Sequence, residues 1–410
     1  MYINIPSTLK KILLLICTWI LLGGNDTKMP YAMTPNMAIT AFAIIVILFF
    51  VDKDSIRASN DMWLLGVYIL IIGYEILEMN FWAMFPYAVR TYIIRYSLYS
   101  CLIILNLNID LINKVLDYVK IYGTAIAIGY IILYVGAGQK GSFLGSYQNV
   151  ACSMCVCMLT VEINMLVDKE WKKRDFFMFL LYLTVLMMTG KRTFLVIPFV
   201  ALLVFSNIGG SILPLSVKRK RLLLLMIVLA IGGISVLFVK PDMLLSITRI
   251  FEADNDDMMS GRDRLWNLAI YLWRTSPIKG IGMGGFTNFI RNNRLFTYTF
   301  MRVQLIAAAH NIYFQLLTEN GIIGFSFFIF LFVYNLGLAI RNLVMVRNVK
   351  DTKLIRCAYF TLIIQIWLLI YGITGNPLFV VYQFFIYMFS LMVSQSVRTE
   401  LKLIKELENG

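Results

Sequence analysis

The chain has 410 residues, 60% of them hydrophobic and 15% charged, with a mean hydropathy of +0.76 and a formal charge of +14. That balance excludes an ordinary soluble domain. The 37 lysines and arginines gather in short clusters between apolar blocks, a pattern of membrane topology and not of a nucleic-acid surface.

Taken in chain order, the apolar blocks predict twelve membrane spans. They fall at roughly 10–24, 37–51, 62–77, 88–106, 116–135, 148–167, 175–190, 193–208, 221–239, 321–340, 354–372 and 377–396, each near the length that crosses a ~30 Å hydrocarbon layer. Lys10 and Lys11 precede the first block and no small-residue cleavage site stands out, so that block is expected to remain as an anchor. The expected fold is an all-α polytopic membrane protein of about twelve transmembrane helices.

Basic residues occupy alternate loops. One set holds Lys53 and Arg57, then Lys114, then Lys169, Lys172, Lys173 and Arg174, then Lys218 to Arg221. It continues with Arg341, Arg347, Lys350 and Lys353, and the tail with Arg398, Lys402 and Lys405. By the positive-inside rule these loops and both termini are cytoplasmic. The loops near 25–36, 78–87, 136–147 and 373–376 are poor in basic residues. The expected location is a bacterial inner (plasma) membrane.

Residues 240–320 break the rhythm with a long, largely polar insertion on the outer side. A long loop in a tight bundle is usually functional. Three regions follow: 1–239 with nine spans, 240–320 as an extracytoplasmic catalytic loop with short amphipathic helices, and 321–410 with three spans and a cytoplasmic tail. Within the loop, "SGRDRLWNLAIYLWRTSP" predicts a helix. Ser260 and Asp263 fit a capping box, Trp266, Ala269, Ile270 and Trp273 share a face, and Pro277 follows the end. Two tryptophans on one stripe suit a membrane interface. A second amphipathic stretch, "HNIYFQLLTEN", is broken by Gly321 before the tenth span.

Within that stretch lies His310, the only histidine of the chain. A lone histidine near a helix start can simply satisfy a local hydrogen bond. At a membrane boundary an ionisable group is a functional candidate, and neutral imidazole is suited to taking a proton from a hydroxyl. Asn311 beside it could orient a substrate or the ring.

Lys191 and Arg192 sit in an outer turn, where the charge rule disfavours basic residues, so an anion is the expected reason for them. Arg262 occupies the first turn of the loop helix, where free N–H groups already favour an anion. Arginine forks match phosphate, so Arg192 and Arg262 suggest a diphosphate clamp. Solvation of Arg262 and snorkelling of Arg192 are the simpler alternatives. Arg90 and Arg95 are weaker candidates, since Glu75 and Glu78 could pair with them structurally.

Other patterns carry less. Cys152, Cys155 and Cys157 read as small buried residues of a membrane helix, without a ligand set for zinc. Gly280, Gly282 and Gly285 match a dinucleotide motif by letter but follow a helix and a proline, so close backbone packing is the better reading. The run Glu252 to Asp257 lacks the spacing of a calcium loop.

Four pieces of the chain resemble the family of O-antigen ligases and Wzy-type polysaccharide polymerases. They are "FLGSYQNVA" (143–151), "TGKRT" (189–193), "GRDRLW…SPIKGIGMGGF" (261–286) and "HNIYFQLLTENGIIG" (310–324), in family order. Lys191 stands where the family often has serine. The resemblance implies metal-independent, cofactor-free glycan transfer on the outer face from a polyprenyl-diphosphate-linked oligosaccharide in the membrane lipid. By that resemblance Arg192 and Arg262 would bind the diphosphate; Lys191, Arg90 and Arg95 are further substrate-binding candidates from the charge reading alone. His310 would orient or deprotonate the acceptor hydroxyl, and Asn149 would shape the pocket. A chain-length regulator and a flippase of the same pathway are the implied protein partners. The expected activity is that of a polymerase, with an O-antigen ligase as the alternative. A lipid-linked oligosaccharide transporter is the alternative from another class.

Overall fold

In hydrocarbon every backbone N–H and C=O must be paired within its own segment, so apolar runs of this length become helices. The computed structural model describes residues 56–58, 62–78, 105–137, 147–167, 172–208, 262–293, 308–346, 349 and 351–409. In chain order these form β1 (Ile56–Ala58), α1 (Met62–Glu78), β2 (Leu105–Leu107), α2 (Ile109–Ala137), α3 (Tyr147–Val167), α4 (Lys173–Thr189) and α5 (Arg192–Ile208). They continue with α6 (Arg262–Thr275), α7 (Gly285–Asn292), α8 (Ile312–Val346), α9 (Thr352–Thr374), a 3-10 turn (Pro377–Phe379) and α10 (Val381–Asn409). Four stretches among the described residues are long and apolar enough to cross a membrane: Ile109–Gly136, Asn149–Val167, Ile312–Val346 and Thr352–Thr374. The expected spans at 10–24, 37–51 and 221–239, most of 88–106, and residues 252–257 lie outside the described residues.

One helix sits at the centre. The stretch of α3 from Asn149 to Leu166 is buried all round, as a helix without a polar stripe must be. Cys152, Cys155 and Cys157 are completely enclosed there. Helix α2 approaches α3 closely at Gly123, where a Cβ would stand 2.4 Å from Cys157 Sγ. Small residues at such crossings let backbones pack without a hydrophobic drive from the lipid. Helix α4 joins them through the Tyr182 hydroxyl, which donates to the Lys120 carbonyl at 2.7 Å. On the other side, buried polar bonds fix α10 against its neighbours. Asn335 Nδ2 donates to the Tyr387 hydroxyl (2.9 Å), Asn342 Nδ2 to the Ser394 carbonyl (2.8 Å), and Gln365 Nε2 to Ser390 Oγ (3.0 Å).

Two differences from the sequence reading stand out. The fold is mostly but not wholly helical: β1 and β2 pair antiparallel, Ile56 opposite Leu107. Residues 105 and 106, read as the end of a span, are in that strand. The Ser396 hydroxyl of α10 accepts the Leu107 N–H at 2.8 Å, which gives the extended backbone a partner a helix would not need. The second difference concerns α6. Its buried face is Leu265, Leu268, Ala269 and Leu272, one position round from the stripe expected at Trp266, Ala269, Ile270 and Trp273. Trp266 is half-buried against the protein. Its ring lies 5.6 Å from that of Phe314, and its Nε1 donates to the Ala309 carbonyl at 3.0 Å. Ser260, the expected cap, lies outside the described residues.

Helices α6, α7 and the first turns of α8 share a small hydrophobic core of their own. What joins it to the bundle is a break in α8 at Gly321 (φ 60, ψ −168). A broken helix frees carbonyls before the break and N–H groups after it, and in a membrane protein these need partners. Residues 277–282 supply them. Ile281 and Gly282 donate to the carbonyls of Thr318 and Glu319 at 3.0 and 2.9 Å, and the carbonyls of Pro277 and Ile278 accept from Ile322 and Ile323 at 2.9 and 3.2 Å. The Tyr74 hydroxyl of α1 completes the seam at 3.0 Å from the Asn320 carbonyl. The glycines of "KGIGMGG" are thus a backbone cradle, not a nucleotide loop.

Candidate active site

Three segments meet at one end of the bundle. The first is the turn between α4 and α5, where Gly190 takes a left-handed conformation (φ 70) and donates to the Met187 carbonyl at 3.2 Å. Lys191 follows, and Arg192 opens α5. This turn is pinned to the end of α9: the Thr193 and Thr374 hydroxyls are 2.7 Å apart, and the Phe194 and Tyr371 rings have centroids 4.5 Å apart. The second segment is the start of α6, with Arg262 as its first residue. Thr318 Oγ1 donates to the Ala269 carbonyl at 2.9 Å and holds α6 on α8. The third is the residue pair ahead of α8, His310 and Asn311.

His310 is the only non-glycine residue with positive φ among the described residues (φ 49). Such a conformation costs an L-residue energy and persists only where the surroundings impose it. Both flanks do so. Asn311 is buried, and its Oδ1 caps α8 by accepting the N–H groups of Tyr313 and Phe314 at 3.0 and 3.1 Å. Ala309 donates its N–H to Gln315 Oε1 at 3.3 Å. Gln315 Oε1 also accepts from Asn376 Nδ2 (2.7 Å), and Gln315 Nε2 donates to Glu319 Oε1 (3.2 Å). Glu319 is fully enclosed, against the backbone N–H groups of Gly284 and Phe286 at the start of α7. A carboxylate at a helix N-terminus is favoured by the local dipole. A buried polar chain therefore runs from the α7 start to the backbone beside His310.

The electrostatics unite the three segments. His310 is pulled down from 6.5 to about 4, first by burial and then by the positive charges of Arg262 and Lys191. Burial, followed by Arg262, lowers Lys191. Burial also lowers Arg262, while the Tyr371 hydroxyl acts on it in the opposite direction. Two cations and an imidazole thus form one half-buried cluster. Crowded like charges in a partly dry site disfavour one another and favour an incoming anion. An imidazole held near 4 is uncharged at pH 7 and less basic than an ordinary histidine.

Because the chain has one histidine, imidazole-labelled protein gives one NMR titration. Its midpoint is expected near 4, and Arg262→Gln is expected to move it upward, though not to 6.5, because burial remains the larger cause. The stability consequence has a definite sign. Between 6.5 and about 4 the unfolded chain takes up a proton that the folded site refuses, so stability falls as pH drops through that window. An unchanged midpoint in Arg262→Gln would separate the two residues.

Of the residues suggested by the sequence, the fold brings together His310, Arg262 and Lys191. Asn311 lies beside them as a helix cap. Asn149 is buried in the first turn of α3, at the same end of the bundle. Arg192 is in place along the chain, but its side chain is outside the described set, as are Arg90 and Arg95. Tyr371, Thr193, Thr374, Gln315, Glu319 and Asn376 were not singled out. The "YGITGNP" break after α9 was a usable sign for Tyr371 and Asn376, and the four-residue spacing of Gln315 and Glu319 was one for the buried pair.

Comparison with known families adds one finding. Residues 177–329, a little over a third of the chain, match the family model described as O-antigen ligase. Over this segment the chain is similar to the O-antigen ligase family. The segment contains Lys191, Arg192, Arg262, His310, Asn311 and Glu319, and it stops short of Tyr371. No curated protein matches the chain at a significant level. The match supports a membrane enzyme that transfers a glycan in polysaccharide assembly.

Proposed function

We propose that the protein is a polysaccharide polymerase. It would transfer a growing glycan from a polyprenyl-diphosphate carrier to a hydroxyl of a lipid-linked repeat unit on the outer face of the membrane. The observation that carries this reading is the shared field of Arg262, Lys191 and His310 in one half-buried cluster. A neutral base beside two cations fits a reaction that removes a hydroxyl proton while the departing diphosphate gains a further negative charge.

The step balances simply. The acceptor oxygen bonds to the anomeric carbon as the bond from that carbon to the diphosphate oxygen breaks. The electron pair leaves with the polyprenyl diphosphate, and the hydroxyl proton passes to His310 and on to water. Arg262, Lys191 and Arg192 would stabilise the departing charge, which preorganised donors do best in a partly dry site. Their charge suffices for that role without a metal. A bound diphosphate would also offset the two cations and raise the basicity of His310 part of the way, the effect of burial remaining. Tyr371 would hold Arg262 in place, and Asn149 would help close the pocket.

Reconstitution with lipid-linked repeat units alone tests the reading. A ladder of products is expected from the wild type, and Arg262→Ala is expected to lose about 10²-fold or more of the rate, as for removal of a preorganised charge donor. The family description itself favours a second reading, a ligase passing the glycan to lipid A-core or protein. That enzyme would stay silent until a second acceptor is added. Movement of lipid-linked units across the bilayer without bond formation would instead identify a transporter.

A further inference from the structure

At the opposite end of the bundle from His310, the ends of four helices enclose a cavity of about 410 Å³. The start of α2, the end of α3 and the starts of α4 and α9 form its walls, and the chemistry of those walls is unbalanced. Lys120, Lys172, Arg174, Lys353 and Arg356 line it, against two carboxylates, Asp117 and Asp175. Asp117 is shared: Lys120 Nζ lies 2.9 Å and Arg356 Nη2 3.0 Å from the same oxygen. Arg356 Nη1 donates to Asn113 Oδ1 at 3.2 Å, while its Nε is buried without a hydrogen-bond partner among the described residues. Arg174 stands 3.9 Å from Asp175, too far for a close pair. Lys353 pairs with Asp110 outside the lining. Asn164 and Thr352 add neutral hydrogen-bonding groups.

We propose that this cavity binds a phosphate-bearing group, supplied by the headgroup of an anionic phospholipid from the adjoining leaflet. Three observations carry the choice. The lining has an excess of cations, including arginines able to fork onto phosphate oxygens. The volume lies within the ~300–1,000 Å³ of small-ligand sites. The walls are ends of the apolar helices themselves, and basic pockets between membrane helices are where anionic headgroups bind. Lys173, the first residue of α4, adds a further positive charge at the same helix end. By the positive-inside rule this is the cytoplasmic leaflet. The neutral lining groups suit the hydroxyls of a glycerol headgroup. This site is independent of the chemistry at His310.

The test uses the full-length protein in neutral detergent, reading thermal unfolding together with intact-complex mass spectrometry. Phosphatidylglycerol is expected to raise the unfolding midpoint saturably and to remain bound to the intact protein. Phosphatidylcholine is expected to do neither. The exposed rim pair offers a variant that leaves the buried network intact, and Lys172→Gln with Arg174→Gln should weaken phosphatidylglycerol binding about tenfold, near 1.4 kcal/mol. Equal stabilisation by phosphatidylcholine would overturn the proposal, as would unchanged binding in the rim variant. Stabilisation by glycerol phosphate without any response to phosphatidylglycerol would overturn the lipid as the source.

Discussion

Replacing His310 by asparagine is expected to lower glycan transfer by about 10²–10⁴-fold, the usual worth of a positioned general base. Asparagine is the informative substitution because of the backbone. His310 has φ 49, and asparagine tolerates this left-handed region better than alanine. The cap from Asn311 and the Ala309–Gln315 bond should then survive, so that a loss of rate reports the imidazole and not the fold. Donor binding, measured with the lipid-linked unit in the absence of acceptor turnover, should change little. Transfer within a few-fold of wild type would remove His310 from the chemistry and return it to a structural role.

The second large effect is expected at a residue that touches no reacting group. Gly321 has φ 60 and ψ −168, a region essentially reserved for glycine. A Cβ there would stand 2.3 Å from the Ile278 carbonyl oxygen and 2.5 Å from the Gly280 nitrogen. Neither obstacle is a flexible side chain. Gly321→Ala is therefore expected to cost about 3 kcal/mol or more, seen as a lowered unfolding midpoint and a loss of transfer. Gly280 faces the same seam from the other side, with φ 83 and a Cβ position 2.3 Å from the Glu319 carbonyl oxygen, so its alanine variant should behave alike. Gly337, in the same helix with nothing within 4 Å of its Cβ position, should accept alanine without loss. Equal tolerance at Gly321 and Gly337 would show that the seam is not what holds the loop helices on the bundle.

These two positions show how unevenly the architecture was readable. His310 announced itself by rarity and Gly321 by interrupting an amphipathic stretch; both are local signals. The face that α6 buries against the protein was not picked out, because two tryptophans dominated the pattern while the structure buries leucines at 265, 268 and 272. Trp266 is amphipathic, and its indole N–H donates to the Ala309 carbonyl. The β1–β2 pair was invisible for a similar reason. Its strands are three residues long and far apart in sequence, and their pairing depends on Ser396 and Thr399 of α10 as partners.

The sequence by itself determined the class of molecule: long apolar blocks must become helices where no water can pair the backbone. The alternation of basic loops supplied the expected orientation, and the arginines outside that pattern pointed to an anion. Only the tertiary structure decided which charges meet. Lys191, Arg262 and His310 stand 71 and 48 residues apart along the chain, and no periodicity encodes their convergence. The packing of α6 on α8, the Thr193–Thr374 contact and the seam at Gly321 bring them into one cluster. Mutual repulsion and burial then set the imidazole near 4, because a pKa depends on distance in space and on lost solvent, neither of which a sequence records.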